Sequence, residues 1–338
     1  METNKNKTPF VTRLKRFTGS EAGKALISLC VVLLIGCIFN AKGAFFKIAT
    51  HRDALRACSV YGIMAVGMTV VILTGGIDQA QGSLVGFASV LFSILTIHMQ
   101  LNPWLSILLV ILAGAGFGLI SGLLVAKFNM QPFIATIAMM SVVRGLARAI
   151  TGDTKISTAR VVNGETVVVD LPEIFTKIDR RILGGNLTVV TVIMIILIAF
   201  TDFLMRKTKW GHHVYAIGGN EEAARLSGIN VARDKALVYV FSGALCAIAG
   251  ICLAAQERQG NPASGANYEN QAMCMAVISG VNMMGGRGSI TLTCIGILTI
   301  GYLQKVLGIN AIAEAWRLVI TGLVLVIAVL TQSKRSKS

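Results

Sequence analysis

Long apolar runs alternate with short polar stretches from about residue 24 to the end of the chain. Most of the runs are roughly 17 to 24 residues long, enough for a helix to cross a bilayer core of about 30 Å. They fall at about 24–40, 57–74, 84–99, 104–126, 131–150, 188–205, 236–255, 270–283, 290–304 and 316–332. The pattern predicts an all-α polytopic membrane protein with about ten transmembrane helices. Eight or nine spans stay open, because several runs contain glycine and can be broken or re-entrant. The whole of 1–338 reads as a single transmembrane domain.

The polar stretches set the expected topology. Residues 1–20 carry Lys5, Lys7, Arg13, Lys15 and Arg16 and read as a cytoplasmic tail. The following run lacks a small-residue cleavage site and reads as a retained first span. Residues 41–56 look like an interfacial amphipathic segment. Their basic residues Lys42, Lys47, Arg52 and Arg56 fall on the outer side by this count, against the positive-inside trend. Residues 152–186 form the longest polar segment and read as an extracytoplasmic loop. Within it, Val161-Val162, Asn163-Gly164 and Val167-Val168-Val169 suggest a hairpin with a tight turn. Residues 256–269 read as a second outer loop. An even number of spans puts both basic termini in the cytoplasm.

Two glycine-rich interruptions break the apolar pattern. One runs over Gly75, Gly76, Asp78, Gln79, Gly82 and Ser83, the other over Asn282, Gly285, Gly286 and Gly288-Ser289. Paired interruptions of this kind can line a solute path with exposed backbone. Close helix packing by glycine gives the same pattern. Pro132 and Phe133 open the fifth span, where proline fits the first helical position.

The polar stretch 206–235 differs from the others. Arg206, Lys207, Lys209, Arg225, Arg233 and Lys235 outnumber Glu221, Glu222 and Asp234, which marks a cytoplasmic loop. Asn220 can cap a short helix over Glu221, Glu222, Ala223 and Ala224, with the glutamates at the positive end of its dipole. Gly228 and Asn230 are expected to stop it. A rigid element joined to spans at both ends could act as a lever.

Composition narrows the function classes. The chain is 54% hydrophobic and 14% charged, well below the roughly one-quarter charged residues of soluble proteins. Most of its formal net charge of +15 sits at expected cytoplasmic flanks, including Lys334-Arg335-Ser336-Lys337. The charge is therefore topological, and nucleic acid is not an expected partner. The seven cysteines form no CxxC pair, and their odd number fits no disulfide framework. His212 and His213 lack ligand-spaced partners and read as a solvated or docking face, so no metal site is expected. No catalytic cluster is evident, and no GxxxxGK[ST] phosphate loop occurs.

Four stretches carry a resemblance to a known family. They are 65–78 (AVGMTVVILTGGID), 132–136 (PFIAT), 215–231 (YAIGGNEEAARLSGINV) and 285–288 (GGRG). The chain resembles the membrane permease subunit of bacterial ABC sugar importers of the ribose and galactoside class. The third stretch is the most specific. Its Glu-Ala-Ala-x-x-x-Gly spacing, Glu222 to Gly228, is similar to the loop by which such permeases dock on their ATPases. Two departures stand out. Gln79-Ala80-Gln81 replaces a usual Leu-Ser-Val, and Tyr268-Glu269-Asn270-Gln271 lacks an acidic residue usual after Tyr-Glu-Leu.

The resemblance implies a division of labour. A cytoplasmic ATP-binding subunit would use the ATP, so this chain would bind no cofactor. An extracytoplasmic sugar-binding protein would deliver a monosaccharide such as ribose, galactose or methyl-galactoside. A second permease subunit, a copy or a paralogue, would complete the path in the inner membrane. A secondary transporter driven by an ion gradient is the alternative. Asp78 then either touches the solute or only caps a helix. Arg144 and Arg148, one turn apart, either line the path or snorkel to the surface. Trp104, Trp210 and Trp316 are expected at the membrane interface.

Overall fold

The computed structural model describes residues 20–162 and 165–333. The expected basic tails, apart from Ser20, and the Asn163-Gly164 turn lie outside these residues. Helices α1 Glu21–Ile38, α2 Ile48–Leu73, α3 Gln81–Ser93, α4 Pro103–Ala126 and α5 Pro132–Thr151 come first. A turn of π-helix, Ile94–His98, extends α3. After two short hairpins and α6 Glu173–Ile178 come α7 Val189–Lys207, α8 Lys209–Gly219, α9 Glu221–Leu226 and α10 Val231–Glu257. The chain closes with α11 Tyr268–Ile278, α12 Ile290–Ile309 and α13 Glu314–Ser333. Among the described residues, 8 helices are long and apolar enough to cross a membrane: α1 to α5, α7, α10 and α12.

α2, the α3 rod and α10 form the buried centre, and the other long helices surround it. The α4 sequence shows why. Val110, Gly114, Gly118 and Gly122 recur every four residues and are buried, while Leu105, Leu108, Leu112 and Leu119 lie exposed. A Cβ at Gly114, Gly118 or Gly122 would strike the α10 backbone at Gly243, Tyr239 or Ala236. Without a hydrophobic drive between helices in lipid, such close backbone approach is what holds them together.

The structure corrects several expectations. Residues 48–56 do not form a separate segment but the first turns of α2. Two of their charged residues pair with partners more than a hundred residues away. Arg56 donates to both carboxylate oxygens of Asp179 at 2.7 Å, and Asp53 pairs with Arg181 at 2.8 Å and Lys305 at 3.8 Å. The 159–168 hairpin forms as expected, with Val162 paired to Glu165.

Residues 256–269 are not a simple outer loop. Gly260 exchanges both backbone hydrogen bonds with Ile156 at 2.8 Å and abuts Ser89 and Val90. Gly265, at φ +79°, presses on Gly82 and Gly86 of α3. The segment thus turns back into the protein, and α11 starts beside the first turn of α3. This explains why α11 has only 11 residues, about 16 Å of helix, or half a bilayer core. Arg144 does not snorkel. It donates to the carbonyls of Pro262 and Ser264 at 2.7 and 2.6 Å and ties the re-entrant segment to α5. Arg148 is exposed and pairs with Asp153 at 3.5 Å. Trp104 and Trp316 face outward, but Trp210 does not. It packs edge-on against Phe241 at 5.8 Å.

Candidate functional site

The stretch 206–235 folds into more than one short helix. Thr208 caps α8, its hydroxyl accepting from Gly211 N at 3.2 Å. Asn220 ends α8 and caps α9, accepting from Ala223 N at 3.0 Å. Gly228, at φ +83°, lets the chain leave α9. Asn230 does not stop α9. It caps α10 instead, accepting from Arg233 N at 3.0 Å. Ala224 packs on Ile217, Val231 and Ile229 in a small apolar cluster, while Glu222, Ala223, Leu226 and Gly228 remain exposed. Leu226 is 81% exposed at the end of α9.

α8 and α9 are fastened to α10. His213 Nδ1 lies 2.7 Å from Asp234 Oδ2, so this histidine has a carboxylate partner after all. Lys235 donates to Glu221, which also pairs with Arg225 at 3.4 Å. The three helices therefore form one braced unit, with α9 at its exposed tip.

The far end of α8 meets both glycine interruptions. A Cβ on Gly218 would overlap the Leu73 carbonyl at the end of α2 and Gly286 N in the second interruption. Gly286 N itself donates to the Leu73 carbonyl at 3.0 Å. Gly285, at φ +89°, abuts Gly75 N and Gly218, and its conformation favours glycine. Tyr215 donates to the Gly288 carbonyl at 3.1 Å. Burial pushes this phenol above its ordinary value, so it stays protonated and donating. Two segments more than two hundred residues apart thus meet on one helix end.

The remaining predicted residues lie at increasing distance from this junction. Asn282 braces the second interruption, its amide oxygen accepting from Met284 N at 3.1 Å and its nitrogen donating to the Gly285 carbonyl at 3.2 Å. Gly75 and Gly76 follow α2 directly. A Cβ on Gly76 would crowd the Tyr239 hydroxyl of α10. Asp78 is 2% exposed. It accepts from Ala80 N at 3.1 Å and from the Ser242 hydroxyl of α10 at 2.8 Å. Ser242 accepts in turn from Gln81 Nε2 at 2.9 Å. Gln79 is half-buried.

Gly82 and Ser83 belong to α3 itself rather than to the interruption. A Cβ on Gly82 would meet the Glu269 carboxylate of α11. Pro132 starts α5, and Thr136 in its first turn reaches the Ile77 carbonyl at 3.3 Å. Phe133 is 45% exposed and points away from the junction. Gly218 and Ser242 were not singled out from sequence, and Gln81 only as a departure from the family pattern. A serine within a long apolar run is the signal that could have flagged Ser242.

Among the described residues no group of three His, Cys, Asp or Glu side chains could hold a metal ion. The cysteines are free.

A family model described as branched-chain amino acid transport system / permease component matches residues 52–329. The chain belongs to this permease family. The ribose import permease protein of Escherichia coli (strain K12) is 35% identical to it over 314 residues, covering 92% of this chain and 94% of that protein. The ribose import permease protein of Bacillus subtilis (strain 168) is 36% identical over 311 residues, 92% of each. The fructose import permease protein of Rhizobium meliloti is 30% identical over 317 residues, 94% of this chain and 87% of that protein. No solved structure matches the chain. The junction and the α8–α9 tip both lie within the matched residues, and the permease is a multi-pass helical membrane protein.

Proposed function

We propose that this chain is the membrane-spanning subunit of an ATP-driven importer that carries a monosaccharide inward across the cytoplasmic membrane. The solute class follows the relatives, which are named for ribose and fructose import over nearly their whole length. The family description mentions amino acids, but it is the broader of the two matches. The chain has no phosphate-binding loop, so ATP is bound and hydrolysed by a separate cytoplasmic subunit. A binding protein on the opposite side supplies the sugar, and a second permease subunit completes the path. Both termini lie on the cytoplasmic side with α9.

The observation that carries the mechanism is the contact of Gly218 with Leu73 and Gly286. α9 docks on the ATP-binding subunit through its exposed face. A displacement there moves the braced α8–α9–α10 unit as a rigid body. Gly218 transmits it to both interruptions at once. α10 transmits it to Asp78 through Ser242, so this carboxylate positions the first interruption rather than binding solute.

Scrambling residues 220–228 while keeping their composition tests this. The variant is expected to fold, to lose co-purification with the ATP-binding subunit, and to lose sugar uptake. Retained uptake would refute the docking role. Accumulation of sugar under a proton or sodium gradient without the ATP-binding subunit would favour a secondary transporter instead.

A further inference from the structure

A groove of about 480 Å³ opens between α2, α11, α12 and α13. None of its residues was among the expected path residues. Its lining includes Tyr61, Gln271, Met275, Gln304, Lys305 and Arg317. It lies toward the end of the protein away from α9. α2 and α12 meet the glycine junction at Leu73 and Gly288, whereas the groove is lined by the earlier turns of α2 and the last turns of α12. At its inner end the Tyr61 ring sits 4.3 Å from that of Tyr268, the first residue of α11. The next residue, Glu269, abuts Gly82. The groove therefore runs from the side opposite the coupling helix to the place where the two half-buried helix starts meet.

Its chemistry is mixed in a way that suits a neutral polyol. Gln304 donates one amide hydrogen to Thr321 Oγ1 at 2.8 Å, which fixes the side chain and keeps its carbonyl as an acceptor. Gln271 has no side-chain partner among the described residues. Arg317 Nε donates to the Ile312 carbonyl at 2.7 Å, holding the guanidinium at the rim with further N–H donors to spare. Lys305 lies 3.8 Å from Asp53, which also pairs with Arg181 at 2.8 Å. Amides offer both donor and acceptor, as sugar hydroxyls require, and an aromatic face packs against the C–H side of a sugar ring. The volume falls within the roughly 300–1,000 Å³ of small-molecule sites.

We infer that this groove is a sugar-selective station of the permease, with Gln271 and Gln304 reading the hydroxyl pattern of a neutral monosaccharide. This rests on the importer reading above. The station adds a second selection step beyond the binding protein.

The test uses proteoliposomes holding the permease with its ATP-binding and sugar-binding partners. Uptake of radiolabelled ribose, fructose and xylose is measured for the native chain, Gln271→Leu, Gln304→Leu and the milder Gln271→Asn. The uptake ratio among sugars is expected to change about tenfold in the leucine variants and less in Gln271→Asn. ATP hydrolysis stimulated by the binding protein should stay within about twofold. A merely structural role would lower all uptake equally and leave the ratio fixed. Unchanged ratios with an active native chain would overturn this inference alone. A native chain that takes up none of the three sugars would overturn the importer reading with it.

Discussion

Asp78 is buried among neutral partners, with Ala80 N and the Ser242 hydroxyl as its donors. A buried carboxylate keeps its place only if such hydrogen bonds are made, and each lost partner costs about 1–3 kcal/mol. Ser242→Ala also strips Gln81 Nε2 of the nearer of its two acceptors, leaving the Met64 carbonyl at 3.4 Å. Either Asp78→Ala or Ser242→Ala should therefore lower the melting temperature of the purified permease in detergent. Because they share one bond, the double variant should lose less than the sum of the two. Strict additivity would mean that the chain Asp78–Ser242–Gln81 is not a unit. The glycines give a sharper contrast. Gly218 has the Leu73 and Gly286 backbones against it, while its neighbour Gly219 has nothing within 4 Å of an added Cβ.

At the level of elements, α4 and α10 depend on small residues. Leucine at Gly118 must push the Tyr239 carbonyl aside, and overpacking of a tight core typically costs about 1–3 kcal/mol or more. Gly118→Leu should sharply reduce the folded yield, measured by size-exclusion profile. Gly116→Leu, where an added Cβ meets nothing within 4 Å, should not.

The same scale shows what could be read from the chain. Apolar runs long enough to span were legible because their signal is local, and so were the Asn220 cap and the 159–168 hairpin. α8 was not, because its buried residues Gly211, Val214 and Ile217 are sparse among polar ones. The half-length of α11 was hidden because the hydrophobic run continues past Ile278 into the second interruption. The re-entrant 258–267 segment is polar, and nothing local reveals that Arg144 and Gly82 hold it. The pairing of Arg56 with Asp179 and of Asp53 with Arg181 was out of reach for the same reason. Contacts across more than a hundred residues leave no periodicity.

For the whole molecule, the arrangement separates two ends. One end carries the braced α8–α9–α10 unit, with the two interruptions against Gly218. The other carries the polar groove and the ion pairs of Asp53 and Asp179. In the proposed mechanism a force applied at α9 reaches the groove by way of the glycine junction, with α10 and Ser242 as a second route. The most direct measurement is sugar transported per ATP hydrolysed, in proteoliposomes holding the permease and both partners, for Gly218→Val beside Gly219→Ala. The expected result is that the folded fraction of Gly218→Val, recovered in the lower yield its clash with the Leu73 carbonyl implies, still binds the ATP-binding subunit and supports hydrolysis but moves at least about tenfold less sugar per ATP, with Gly219→Ala like the native chain. A Gly218→Val permease that keeps the native ratio would contradict transmission through the junction.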